Sequence, residues 1–231
     1  MLATGRFGLS GQDSLRTVAV IALKGGSGKT TVATHLALAA HLRGVSTLVA
    51  DIDPQRSASN VLSARTDPGP TCIATTGAQL MTAQFAATGL RKQLFIIDTQ
   101  AGALEDVSEA VVLSDYAVLV VRPTLIDIAG LARTLMLVRK LGKPSTVVVN
   151  QAPFAREGIE PPLMKRAMRA LDYMQAPLAP VIVRSRSIYQ TGLETGRSAE
   201  ETTDVAAAKE IAALWEFISA EIAAAPFEAA G

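Results

Sequence analysis

An apolar run, Thr17-Val18-Ala19-Val20-Ile21-Ala22-Leu23, breaks into Lys24-Gly25-Gly26-Ser27-Gly28-Lys29-Thr30-Thr31 and then into a helical pattern reaching Leu42. No other stretch constrains the fold as much. A strand, a glycine-rich turn and a helix in that order build a phosphate cradle. The glycines let successive backbone N–H groups point inward, and the helix N-terminus adds partial positive charge. In such a cradle Lys29 reaches the β- and γ-phosphates and the Thr30 hydroxyl ligates Mg²⁺. Two details stand out. Position 23, where the motif's first glycine falls, is Leu, and a second lysine, Lys24, stands beside it.

The rest of the chain repeats the alternation. Compact apolar runs at 17–23, 46–51, 94–98, 116–121, 145–150 and 181–183 lack strict polar alternation, as strands buried on both faces do. Helical patterns are predicted at 29–43, 56–64, 77–89, 104–113, 126–141, 161–173 and 205–222, with Gly44 and Gly142 placed as left-handed caps. Asp67-Pro68-Gly69-Pro70 reads as a loop. Strands alternating with helices predict an α/β fold: a doubly wound, mostly parallel sheet with helices on both faces, in three Rossmann-like layers. Residues 1–16 are expected to be a short Gly- and Ser-rich lead-in, 17–224 a single domain and 225–231 a tail.

In an open α/β sheet, ligands bind beyond the carboxyl ends of the strands. Acidic residues fall at such ends: Asp51 and Asp53 in Ala50-Asp51-Ile52-Asp53-Pro54-Gln55, and Asp98 closing Phe95-Ile96-Ile97-Asp98. Mg²⁺ prefers oxygen ligands and is often held through water by one or two carboxylates. Thr30, Asp53 and Asp98 are therefore the candidate metal residues.

The glycine-rich loop with its added lysine resembles the deviant Walker A motif of the ParA/MinD family of ATPases. Asp51-Ile52-Asp53-Pro54-Gln55 resembles that family's Walker A′ element, and Ile96-Ile97-Asp98-Thr99 its Walker B element. Residues 24–31 would then bind ATP with Mg²⁺. Asp53 would position the attacking water, and Lys24 would reach across an ATP-dependent homodimer to the partner's nucleotide. Lys24, Lys29 and Asp53 are the expected catalytic residues. Many members read Asp-Thr-Pro-Pro where this chain has Asp98-Thr99-Gln100-Ala101-Gly102, so the switch segment is expected to differ. Arg122-Pro123-Thr124-Leu125-Ile126-Asp127 resembles a Pro-x-x-x-Asp element. Asn150 stands where relatives place an adenine-contacting Asn, or is a capping residue. The likeness runs from about residue 17 to 222 and implies a P-loop NTPase that hydrolyses ATP slowly until a partner stimulates it.

Charge bears on what such a switch would touch. The net charge is +1, but residues 133–186 hold ten basic and three acidic side chains, whereas from 200 onward there are seven acidic ones and one lysine, Lys209. Solvated helix faces would give this pattern, and so would a basic patch meeting an acidic polymer. ParA proteins bind DNA without sequence preference and segregate it with a ParB-like partner. By resemblance, Arg184 and Arg186 are the candidate DNA contacts, with Lys165, Arg166 and Arg169 on the helix before them. The second possibility is a positioner of protein cargo, such as chemoreceptor clusters or microcompartments, acting through a cargo adaptor. MinD proteins bind membrane through a basic C-terminal helix. Here Leu214-Trp215-Glu216-Phe217-Ile218-Ser219-Ala220-Glu221-Ile222 is acidic, so Trp215, Phe217 and Ile218 are expected to pack on the sheet and membrane binding is not expected. A lone cysteine, Cys72, supplies no disulfide framework or metal cluster and fits a reducing cytoplasm, and the resemblance implies association with the nucleoid there. No DNA-reading segment is expected ahead of the cradle, so operator repression by that route is not expected.

Overall fold

The structure is a computed structural model and describes residues 15–226. Six strands form one parallel sheet in the order β3-β2-β4-β1-β5-β6. They are β1 (Arg16–Ile21), β2 (Thr47–Asp51), β3 (Thr71–Ala74), β4 (Leu94–Asp98), β5 (Tyr116–Val121) and β6 (Ser145–Val149). The helices among the described residues are α1 (Lys29–Leu42), α2 (Ser57–Ser63), α3 (Leu80–Gly89), α4 (Leu104–Leu113), α5 (Leu125–Lys140), α6 (Pro162–Tyr173), α7 (Ile188–Thr191) and α8 (Val205–Ala224).

Strand alternation explains the two cores. Val18 and Val20 of β1 and Leu94 and Ile96 of β4 face α1, α2 and α8. Their neighbours Ala19, Ile21, Phe95 and Ile97 face α3, α4, α5 and α6. Both sheet faces are covered, which is why these strands read as unbroken apolar runs. Trp215 and Ile218 of α8 are buried in the first core and Phe217 packs against it, as the sequence suggested. Gly44 and Gly142 do adopt the left-handed conformation, at φ 77° and 66°.

Two assignments need correction. Thr71–Ala74, unassigned by sequence, is the edge strand β3, paired in register with β2. Its residues are half-buried or exposed, so a short edge strand lacks the buried-run signature. Conversely, 181–183 is not a ladder strand. The chain follows β6 through Ala179 N–H to Val147 O at 3.0 Å and Val183 N–H to Val149 O at 3.0 Å, leaving only isolated bridges. Pro177 and Pro180 lack the N–H groups that a continuous ladder needs. The strand β1 starts at Arg16; residues 1–14 of the expected lead-in and 227–231 of the expected tail lie outside the described residues.

Candidate functional site

The cradle forms where β1, the central strand, gives way to α1. Gly26 and Gly28 take φ of 76° and 88°, which side chains rarely tolerate, and Gly28 caps α1. Gly28 has a second reason to be glycine. A Cβ there would sit 2.1 Å from the Asn150 amide nitrogen. Asn150 is buried and donates to Ser27 O at 2.8 Å, and exposed Gln151 donates to Gly26 O at 3.1 Å. The end of β6 thus braces the loop through two amide side chains. The sequence leaves Asn150 as a base contact or a capping residue; in the structure its amide nitrogen donates to the loop backbone.

Beneath the loop, register aligns Asp98 with Val20 of β1 and with Asp51 of β2. The two aspartates differ. Asp51 is fully bonded: one oxygen accepts from Asp53 N–H at 3.1 Å, the other from Ser59 N–H at 2.8 Å and Ser59 Oγ at 2.9 Å. It fixes the start of α2. Asp98 is wholly buried, and neither oxygen finds a full hydrogen bond among the described residues. Burial pushes its carboxyl up to about 7, against the opposing pull of Thr30 and Lys29. Lys29 is also buried, which lowers its ammonium below the ordinary value while Asp98 and Asp53 pull it back. A buried carboxylate without a partner is costly unless a cation or donor completes it. The donor set fits Mg²⁺: Asp98 and the Thr30 hydroxyl, with Asp53 nearby, are oxygen ligands of the kind that hold this ion with several waters.

Asp53 is half-buried, and its Oδ1 accepts from Gln55 N–H at 2.9 Å. Arg56, unremarked in the sequence, sits at φ 55° and donates to Asp51 O at 2.5 Å and Thr75 O at 2.7 Å. Beyond Asp98 the switch segment is held by Thr99 Oγ1 to Val20 O at 3.1 Å and by a short bond from Gln100 Nε2 to Asp106. Gln100 thereby ties the segment to the first turn of α4, a role the Pro-Pro form could not fill.

Lys24 does not turn toward the cradle. Its Nζ lies 2.5 Å from Asp127 Oδ1, with the lysine side chain 42% exposed and the aspartate 2%. Arg122 Nε meets the other oxygen of Asp127 at 2.6 Å. Burial would raise the Asp127 carboxyl, but hydrogen bonds from Arg122, Lys24 and Thr124 hold it below the usual range. In the sequence Arg122 stands out only as the start of the Pro-x-x-x-Asp segment. A charged residue directly after the all-buried β5 was the available signal.

The basic residues separate into two groups. Arg184 is paired with Glu160 and donates to Pro153 O at 2.7 Å. Arg186 bonds Glu210 at 2.9 Å and lies over the Phe154 ring, 4.9 Å from its centroid. Lys165, Arg166 and Arg169 are exposed on α6, and no ion pair engages them among the described residues.

A parallel three-layer sheet with a glycine loop, a buried lysine and an unpartnered aspartate at its carboxyl edge defines a phosphate-binding nucleotide site. Residues 18–194 match the family described as the CobQ/CobB/MinD/ParA nucleotide binding domain, and the chain belongs to that family. Among curated relatives, a "Putative replication protein A" of Rhizobium rhizogenes is 45% identical over 62 residues, 26% of this chain. The match spans only 15% of that relative's length. Among solved structures, apo McdA of Cyanothece superposes with a TM-score of 0.75 at 17% identity, covering 89% of this chain and 100% of that one. MinD of Pyrococcus horikoshii OT3, complexed with Mg-ADP, gives 0.70 at 19% identity, covering 89% and 96%. A "putative plasmid partition protein" of Borrelia burgdorferi B31, bound to AMPPNP, gives 0.67 at 15%, covering 89% and 98%.

Proposed function

We propose that the chain is a ParA-like, Mg²⁺-dependent ATPase whose ATP-bound form is a homodimer that binds DNA non-specifically and partitions plasmid or chromosome DNA with a ParB-like partner. The observation that carries the nucleotide reading is Asp98, wholly buried beside Lys29 and Thr30, with neither oxygen fully hydrogen-bonded among the described residues. Phosphoryl transfer to water needs positioning and charge stabilisation more than covalent help. In this reading Lys29 neutralises the β- and γ-phosphates, the backbone of 25–28 cradles them, and Asp53 orients water. Mg²⁺, when bound, offsets phosphate charge from the side of Thr30 and Asp98. Lys24 serves the partner subunit's nucleotide, so hydrolysis waits for dimerisation.

The partition reading is supported by the names of the rhizobial relative and the Borrelia structure. The DNA surface is best assigned to Lys165, Arg166 and Arg169, because Arg184 and Arg186 already hold Glu160 and Glu210. Each dimer would present the α6 stripe twice. No described helix is long and apolar enough to cross a membrane.

Sedimentation with ATP, ADP and arbitrary duplex DNA tests this. ATP alone should produce dimers, and only those should bind DNA. Replacing Lys165, Arg166 and Arg169 with alanine should weaken DNA binding and flatten its salt dependence by about one unit per charge lost, with ATP binding unchanged. Monomers under ATP would overturn the sandwich, and unchanged DNA binding in the triple variant would move the surface elsewhere.

A further inference from the structure

Asp127 is served by two cations of different standing. Arg122 follows β5 directly, and Asp127 lies in the first turn of α5, where the Thr124 side chain accepts from Asp127 N–H at 3.2 Å. Arg122 and Asp127 therefore belong to one local turn and stay together. Arg122 grips both oxygens, Nε to Oδ2 at 2.6 Å and Nη2 to Oδ1 at 3.3 Å. Lys24 arrives from the separate loop after β1 and touches Oδ1 alone, with its side chain partly in solvent. A flexible four-carbon stem carries its ammonium, whereas the aspartate is only 2% exposed.

We infer that Arg122 is the positioning residue that makes Lys24 releasable, by keeping Asp127 neutralised when the lysine leaves for the partner subunit. This rests on the proposed role of Lys24 across the dimer. A buried ion pair that loses one member leaves an uncompensated charge, and that penalty is large. With Arg122 in place, Lys24 gives up one contact and the carboxylate keeps a bidentate guanidinium. Without Arg122, Lys24 becomes the only counter-ion among the described residues. It is then locked to its own subunit, and dimerisation carries the cost of exposing Asp127 unpaired. The outer edge of Arg122 also runs along the cradle: a Cβ at Gly26 would lie 3.6 Å from Nη1. A direct contact with phosphate is thus the competing role, and the two roles respond differently to removal of the aspartate charge.

The test compares Arg122→Ala, Asp127→Asn, the double variant and Arg122→Lys in the full chain. ATP-dependent dimerisation is read by sedimentation, nucleotide binding by a fluorescent ATP analogue and folding by melting. Arg122→Ala should dimerise about tenfold or more weakly while binding the analogue normally. The double variant should return to within about threefold of Asp127→Asn alone, because no buried charge is left to strand. Arg122→Lys should recover part of the loss. Should the alanine variant not fold, Arg122→Gln carries the same comparison, since it removes the charge but keeps most of the volume. Wild-type dimerisation in the charge-removing variant, or a double variant no better than that variant, overturns the proposal. Lys24→Ala separates the two readings. If it dimerises and hydrolyses normally, the role of Lys24 across the dimer fails; if it is inactive while Arg122→Ala behaves as wild type, only the hand-off fails.

Discussion

The nucleotide end of the sheet and the C-terminal strap that covers α1 treat charge in opposite ways. Beneath the loop, Asp98 has no full partner and Lys29 is buried with its ammonium pushed down. Along residues 184–210, acids and arginines are matched. Arg65 holds Glu201, Arg43 holds Glu200, and Glu210 accepts from Arg184 N–H, Tyr189 Oη and Arg186. His35 completes the strap. Ala199 N–H can only donate, so Nδ1 accepts from it at 3.3 Å and Nε2–H donates to Tyr189 O at 3.3 Å. The difference teaches how to read a buried charge. Matched groups have finished their work inside the fold, whereas an orphaned one is an acceptor waiting for something from outside.

The contrast is broken most forcefully at Asp98. Asp98→Asn should lower ATP turnover by about a hundredfold or more, since it removes a charge aimed at the bound cation. The same change should raise the melting temperature of the nucleotide-free protein, because the burial cost of the carboxyl outweighs what Thr30 and Lys29 return to it. A lower melting temperature would mean that Asp98 is partnered within the fold.

Glu210 is the converse case. Glu210→Ala leaves the Tyr189 hydroxyl only the long contact to Ala207 O at 3.5 Å and Arg186 only the ion pair to Asp204 at 3.6 Å, and should cost about 3 kcal/mol in denaturant unfolding, with nucleotide binding by the folded protein unaltered. A change within about 0.5 kcal/mol would place the strap among ordinary surface features.

His35 sharpens the comparison through pH. Burial pushes its imidazole down to about 4, so the unfolded chain, at an ordinary 6.5, binds the proton first. Stability should therefore rise with pH between about 4 and 6.5 and be lost as pH falls through that window. Measured against His35→Gln, the wild type should forfeit up to roughly 2–3 kcal/mol by the acid end. Parallel pH profiles of the two proteins would show that His35 is charged in the fold.

Much of the sheet was legible because its strands are buried on both faces and so read as apolar runs. β3 was not, because an edge strand of four half-exposed residues carries no such run. The loop 24–31 and Asp98 were legible because phosphate binding fixes residue types at fixed positions along one segment. The division of labour between Asp51 and Asp98 was not. Both end strands in the same way, and only the arrival of Ser59 from α2 satisfies one and leaves the other bare. Arg184 and Arg186 looked like free surface charge because Glu160 and Glu210, their partners, lie 24 residues away on either side.

The sequence by itself determined the class of fold, the cradle and the type of ligand, since these depend on local periodicity and on glycines, a lysine and hydroxyls within one turn. The tertiary structure decided which charges are spent and which are available. It set Lys24 on Asp127, placed Arg122 behind it, and left the α6 stripe without an ion pair among the described residues. Those outcomes depend on which distant side chains arrive within about 3 Å of each other, and hydrogen bonds and ion pairs fall away steeply beyond that range.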